Sequence, residues 1–127
     1  MATTSSNPVE LGTRAHDFEL PATDGETYRL DDFDEAEVLV VMFICNHCPY
    51  VKAVRPRLCQ LARAYDESTV SFVAINSNDA EQYPADGFEP MKEVAREFDF
   101  PFPYLYDESQ SVARAYGAVC TPDFFVY

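Results

Sequence analysis

Two apolar runs set the frame of this chain. Val38 to Ile44 (VLVVMFI) is continuously apolar and largely β-branched, and Val70 to Ile75 (VSFVAI) is nearly so. Strands of this kind are expected where both faces of a parallel sheet are covered. Between them the period changes. Val51, Val54, Leu58, Leu61 and Tyr65 recur at three- and four-residue spacing, which predicts one apolar face of a helix, with a kink expected at Pro56. A second helix is predicted over roughly Glu89 to Phe98, where Asp86 and Glu89 have the spacing of a capping box. Asp107 is read as the N-cap of a short third helix through Tyr116, closed by Gly117.

Upstream, Phe18 to Leu30 (FELPATDGETYRL) reads as a β-hairpin around Asp24-Gly25, and VCTPDFFVY at the far end reads as a last strand. Strands alternating with helices predict an α/β fold with a central, mostly parallel sheet flanked by helices. In such sheets sites form at the carboxyl ends of strands, where Cys45 and Asn76 fall.

Composition narrows the class. At 127 residues the chain has room for one core, with 47% hydrophobic and 14% aromatic residues, so residues 11–127 are read as one domain behind a flexible tail, 1–10. Against 9 basic residues stand 22 acidic ones, a formal charge of -13. That charge repels nucleic-acid phosphates and anionic membranes, and no basic patch offsets it. Lys52 and Lys92 are the sole lysines. An acidic, lysine-poor surface is expected of a halophilic protein, in which salt screens self-repulsion; an ordinary acidic cytosolic protein is the alternative.

MATTSSNPVE lacks the charged and apolar regions of a secretory leader, and Val38 to Ile44 is too short to span a bilayer. Four cysteines without a leader fit a cytoplasmic location, where C-x-x-C is catalytic or metal-binding. The acidic runs DDFDEAE and FEPMKEVAREFD are expected as solvated faces.

The chemistry concentrates in FICNHCPYVK, Phe43 to Lys52. A thiol reacts as the thiolate, and its pKa falls at a helix N-terminus or beside a cation. Cys45 and Cys48, at a strand-to-helix junction, have the spacing of a nucleophile and its resolving partner, and His47 offers a cationic neighbour. Pro49 fits the first helical position and biases Cys48 away from helical dihedrals, which would make Cys48 the N-cap. A helix beginning at Asn46 would instead give Cys45 the low pKa. Cys45 is the expected nucleophile, on the ground that the first cysteine of such a pair is the more exposed.

With these motifs the chain resembles the thioredoxin superfamily, and within it the peroxiredoxin-like proteins of the alkyl hydroperoxide reductase and thiol-specific antioxidant type. GTRAHDFELPATDGETYRLDDF is similar to their N-terminal segment, VLVVMFICNHCPYVK to their first strand and active-site helix, and GAVCTPDFFVY to the strand bearing the superfamily's cis-proline. The resemblance implies a thioredoxin-like fold, a cis Thr121-Pro122 bond close to the cysteines, and a role for Pro122 in seating a partner's backbone. The histidine before Cys48 is similar to that of strongly oxidising members, implying a relatively oxidising couple.

Two departures separate the chain from peroxiredoxins. If Cys48 matches their cysteine in P-x-x-x-T-x-x-C, Val41 and Cys45 occupy the proline and threonine positions, and their peroxide-activating arginine falls on or beside Pro122. The resemblance therefore implies a thiol-disulfide oxidoreductase working through Cys45 and Cys48, with a protein disulfide or oxidised thiol as substrate, a cellular thiol as reductant and no organic cofactor. A thiol peroxidase with Cys48 oxidised to a sulfenic acid, resolved by Cys45 or Cys120, is the alternative.

A metal-binding or non-catalytic module is the reading from another class. Cys45, His47 and Cys48 are too close in sequence to supply three zinc ligands without a second cluster, and His16, Cys59 and Cys120 do not form one. No metal is expected on that reasoning. Cys120 is either a third thiol at the pair or a small buried strand residue. Cys59, eleven residues beyond Cys48 on the helix, is about three turns away and is read as core. His16 is expected to cap or decorate the hairpin, and Asn76 and Asn78 either bind substrate or merely solvate a loop. The thioredoxin pattern ordinarily continues past the cis-proline strand. The fold is thus expected to look truncated there, either as a fragment of a longer protein or with a homo-oligomer or further chain covering an exposed apolar face.

Overall fold

A computed structural model describes residues 12–127; the expected tail, 1–10, lies outside the described residues. Strands β1 (Glu19–Pro21) and β2 (Thr27–Arg29) form the expected antiparallel hairpin. Its turn is closed by Asp24, whose Oδ1 accepts the Glu26 N–H at 2.9 Å, and by Gly25, whose φ of 87° suits a residue without a Cβ.

The main sheet has four strands, in the order Tyr104–Tyr106, Val70–Asn76, Val38–Phe43 and Asp123–Val126. Strands β3 (Val38–Phe43), β4 (Val70–Asn76) and β5 (Tyr104–Tyr106) run parallel, while β6 (Asp123–Val126) pairs antiparallel with β3. This is the expected α/β arrangement, mostly parallel. The continuous apolar character of β3 follows from its two covered faces. Leu39, Val41 and Phe43 join Val73, Ile75, Leu105, Tyr116 and Phe125 on one side. Met42 and Ile44 join Val51, Cys59, Ala74, Met91 and Tyr104 on the other. Along β6 the outward positions Phe124 and Val126 are 42% and 66% exposed on the edge strand.

Helix α1 (Pro49–Arg63) follows β3 and runs through Pro56, whose missing N–H leaves the Lys52 carbonyl without its usual donor. Its buried stripe differs from the expected one. Val51, Arg55 and Cys59, at i, i+4 and i+8, are the buried residues, whereas Leu61 and Tyr65 are each 47% exposed. The Arg55 guanidinium fits a core position because its plane lies over the Phe98 ring, 3.8 Å from the centroid.

Helix α2 (Phe88–Glu97) begins one residue earlier than predicted, and its N-cap is Gly87, without a side-chain cap. Asp86 makes no capping box; it turns inward from a single 3-10 turn, Pro84–Asp86, and is fully buried. The run FEPMKEVAREFD likewise is not wholly solvated, since Met91 is buried in the core.

Helix α3 (Ser111–Tyr116) ends on Gly117 as expected, with that glycine at φ 74°. Its N-cap is Gln110, not Asp107. Asp107 is buried before the helix and its Oδ2 accepts both the Ala113 N–H at 3.0 Å and the Ser77 hydroxyl at 2.7 Å, tying α3 to the loop after β4. His16 lies against α3 and not on the hairpin: its ring meets Tyr116 edge-on at 5.0 Å and its carbonyl accepts the Tyr116 hydroxyl. No helix among the described residues is long and apolar enough to cross a membrane.

Candidate functional site

Strand β3 ends at Phe43, and the chain then turns, so that Cys45 packs in the same core layer as Met42 and Ile44. Three residues later Cys48 is the N-cap of α1, in extended conformation (φ -64°, ψ 125°), with Pro49 in the first turn. Proline explains this boundary: it fixes its own φ at a helical value and disfavours helical dihedrals at Cys48. All four cysteines are free thiols.

Across the junction lies the loop before β6, where Thr121-Pro122 is cis as the resemblance implied. Thr121 touches both sulfurs. Its Oγ1 is 3.6 Å from Cys45 Sγ, and its carbonyl is 3.5 Å from Cys48 Sγ.

The two thiols live in opposite environments. Cys45 is 1% exposed, and Cys48 is partly open. The expectation that Cys45 is the more exposed is overturned, because the turn after β3 drives the first cysteine into the core and leaves the second at the helix end. Burial raises the Cys45 pKa to about 11; the Thr121 hydroxyl opposes this, and the charge of Asp86 adds to it. At Cys48 partial burial also works upward. It is outweighed by the N–H of Val51, Thr121, the N–H of Tyr50 and the Cys45 thiol, so that the pKa falls below the ordinary thiol value.

Asp86 organises the turn from outside it. Its Oδ1 accepts the backbone N–H of Asn46 at 2.8 Å and of His47 at 3.2 Å, and its Oδ2 accepts Asn78 Nδ2 at 2.9 Å. His47 Nδ1 is in close contact with the same Oδ2, while the imidazole stacks on Tyr83 at 5.0 Å. Asn46 completes the bracing through Nδ2 to the Ala85 carbonyl and Oδ1 to the hydroxyl of buried Tyr104, both at 2.8 Å. Asn76 ties the end of β4 to this corner by donating to the Asp86 carbonyl at 2.7 Å.

The structure therefore gathers Cys45, His47, Cys48 and Pro122, as the sequence suggested. Cys120 precedes Thr121 in the same loop. Its Sγ reaches the Pro122 carbonyl at 3.8 Å, and the residue lines a neighbouring cavity of about 450 Å³ with Phe43, Asn78, Gln110 and Arg114. Neither Cys45 nor Cys48 lines that cavity. Cys59 is buried in the core, as expected.

A protein-family model described as the AhpC/TSA family matches residues 11–127. The chain belongs to the AhpC/TSA family. An uncharacterised conserved protein from Geobacillus kaustophilus shares 55% identity with this family member, at a TM-score of 0.94, over all of this chain and 68% of the other. A secreted disulfide oxidoreductase of Mycobacterium tuberculosis has the same thioredoxin-like fold, with a TM-score of 0.72 at 22% identity, over 87% of this chain and 75% of that one. Among curated proteins, the thiol-disulfide oxidoreductase ResA of Geobacillus thermodenitrificans is 24% identical over 97% of this chain and 66% of its own length. The chain thus spans about two thirds of the length of that curated relative.

Asp86, Thr121, Asn46 and Tyr104 are the site residues that the motif did not reveal. Thr121 was within reach of a sequence reading, since it precedes the cis-proline. Asp86 and Tyr104 come from other loops and strands, and only the fold brings them in.

Proposed function

We propose that this AhpC/TSA-family protein is a thiol-disulfide oxidoreductase in which Cys48 attacks and Cys45 resolves. The observation that carries the proposal is the asymmetry of the pair: an accessible thiol at a helix N-terminus and a buried thiol behind it, both touching the loop of a cis-proline. The kinship with ResA, a thiol-disulfide oxidoreductase by name, supports it.

The Cys48 thiolate attacks one sulfur of a substrate disulfide; a bond forms between Cys48 and that sulfur while the substrate S–S bond breaks. The departing substrate thiolate takes up a proton. Cys45 then loses its proton and attacks the Cys48 sulfur. A Cys45–Cys48 bond forms, the second substrate thiol leaves, and the substrate has gained the two electrons that the protein has lost. A cellular thiol returns the pair to its reduced form, and no organic cofactor is required. In the reverse direction the same steps oxidise a dithiol. The Thr121-Pro122 backbone seats the substrate chain, and Asp86 holds the turn that presents both sulfurs.

Family membership and the low pKa of Cys48 also favour a second reading, thiol peroxidase. Against it, with Cys48 as the matching cysteine, stand Val41 and Cys45 in place of the peroxidase proline and threonine, and an arginine position that falls on or beside Pro122. Stopped-flow oxidation of the reduced protein separates the two. Exchange predicts fast reaction with a peptide disulfide and reaction with hydrogen peroxide no faster than free cysteine. Rapid peroxide oxidation with slow disulfide exchange would reverse the assignment.

A further inference from the structure

Cys45 Sγ, one ring nitrogen of His47 and one carboxylate oxygen of Asp86 lie within 4.8 Å of one another. Donors of these kinds around a tetrahedral zinc-type ion stand about 3.3 to 3.8 Å apart, so the cluster is already close to metal-binding size. In the sequence, Cys45, His47 and Cys48 lack a second group of ligands. Asp86 supplies it, arriving from a loop that lies 40 residues along the chain from Asn46.

Two further observations point to a cation. His47 Nδ1 is sealed from solvent and faces Asp86 Oδ2, yet it makes no aligned hydrogen bond. The ring nitrogen thus faces a buried carboxylate oxygen with no aligned hydrogen bond between them. The surroundings also hold the donors in place, as outer-shell partners of metal ligands do. Asp86 Oδ1 is fixed by two backbone N–H groups, Oδ2 by Asn78, and the imidazole by its stack on Tyr83. Cys48 falls outside the cluster.

We propose that Cys45, His47 and Asp86 bind a divalent transition-metal cation of the zinc class in the reduced protein, with a fourth position open to solvent. Binding forms a metal–sulfur bond and releases the Cys45 thiol proton. The buried carboxylate and thiolate then balance the two positive charges, so the enclosed centre is neutral. The site needs only the reduced thiol and does not depend on the exchange reaction.

Cobalt(II) serves as the probe, titrated into the chelator-stripped, reduced full chain and read by thiolate-to-cobalt charge-transfer absorption. The expected result is one ion per chain, displaced by zinc, with the band lost in Cys45→Ser and kept in Cys48→Ser. His47→Gln and Asp86→Asn should each weaken binding by at least about tenfold. No band, loss of binding in Cys48→Ser, or undiminished affinity in His47→Gln would overturn the site, the last two being the marks of simple dithiol chelation. The His47 side chain is 37% exposed, so His47→Gln decides the matter even if Asp86→Asn loses its native circular dichroism.

Discussion

Cys45 and Cys48 are chemically the same side chain three residues apart, and burial, charge and backbone donors make them different reagents. Burial and the nearby Asp86 charge hold Cys45 protonated up to about pH 11, while the helix end and Thr121 lower Cys48. A thiol alkylates as the thiolate, so its rate rises as pH passes its pKa and levels off above it. In the reduced, metal-free protein, the midpoint of Cys48 alkylation should therefore lie below that of an ordinary thiol, and that of Cys45 near pH 11. Peptide-resolved mass spectrometry after iodoacetamide pulses across that range reads both residues; a common midpoint would refute the asymmetry. At this scale the sequence disclosed the pair and its histidine but not the division of labour. Which cysteine is buried depends on where the chain turns after β3. Asp86 misled the sequence reading because its spacing to Glu89 mimics a cap, and only the loop that holds Asn46 and His47 draws its carboxylate inward.

Helix α1 shows how well, and how far, a periodic pattern reports an element. Its start at Pro49 and the N-cap role of Cys48 were legible from proline chemistry alone. Its buried stripe was less so, because Arg55 occupies a core position that a hydrophobic pattern skips, while Leu61 and Tyr65 continue the pattern on the exposed side. Strand β5 escaped notice for a related reason: three residues, Tyr104–Tyr106, with Pro103 just before them, are too few to show an alternation. Pro56 is an exposed proline in the helix interior. Pro56→Ala should restore the missing backbone hydrogen bond and raise stability by about 1 to 3 kcal/mol. Urea unfolding at unchanged m-value checks this; a lower midpoint would show that the helix needs its proline.

At the level of the whole molecule, the α/β arrangement could be read from the alternation of apolar runs with helical periods, because two covered faces leave a strong mark on β3 and β4. The placement of β6 antiparallel to β3 was less visible, since no local signal states which edge a last strand joins. That placement matters most for function, for it carries Thr121 and Pro122 across the sheet to Cys45 and Cys48, more than seventy residues away in sequence. On the proposed mechanism this assembly exchanges disulfides through Cys48 and closes on Cys45. Trapping the mixed disulfide tests it most directly. Reduced wild-type protein, Cys45→Ser and Cys48→Ser are each reacted with a peptide disulfide, quenched with acid and analysed by intact and peptide mass. The expected products are a Cys45–Cys48 disulfide in the wild type, a persistent peptide adduct on Cys48 in Cys45→Ser, and no rapid adduct in Cys48→Ser. An adduct that forms on Cys45 when Cys48 is absent, as fast as the wild type reacts, would contradict that mechanism.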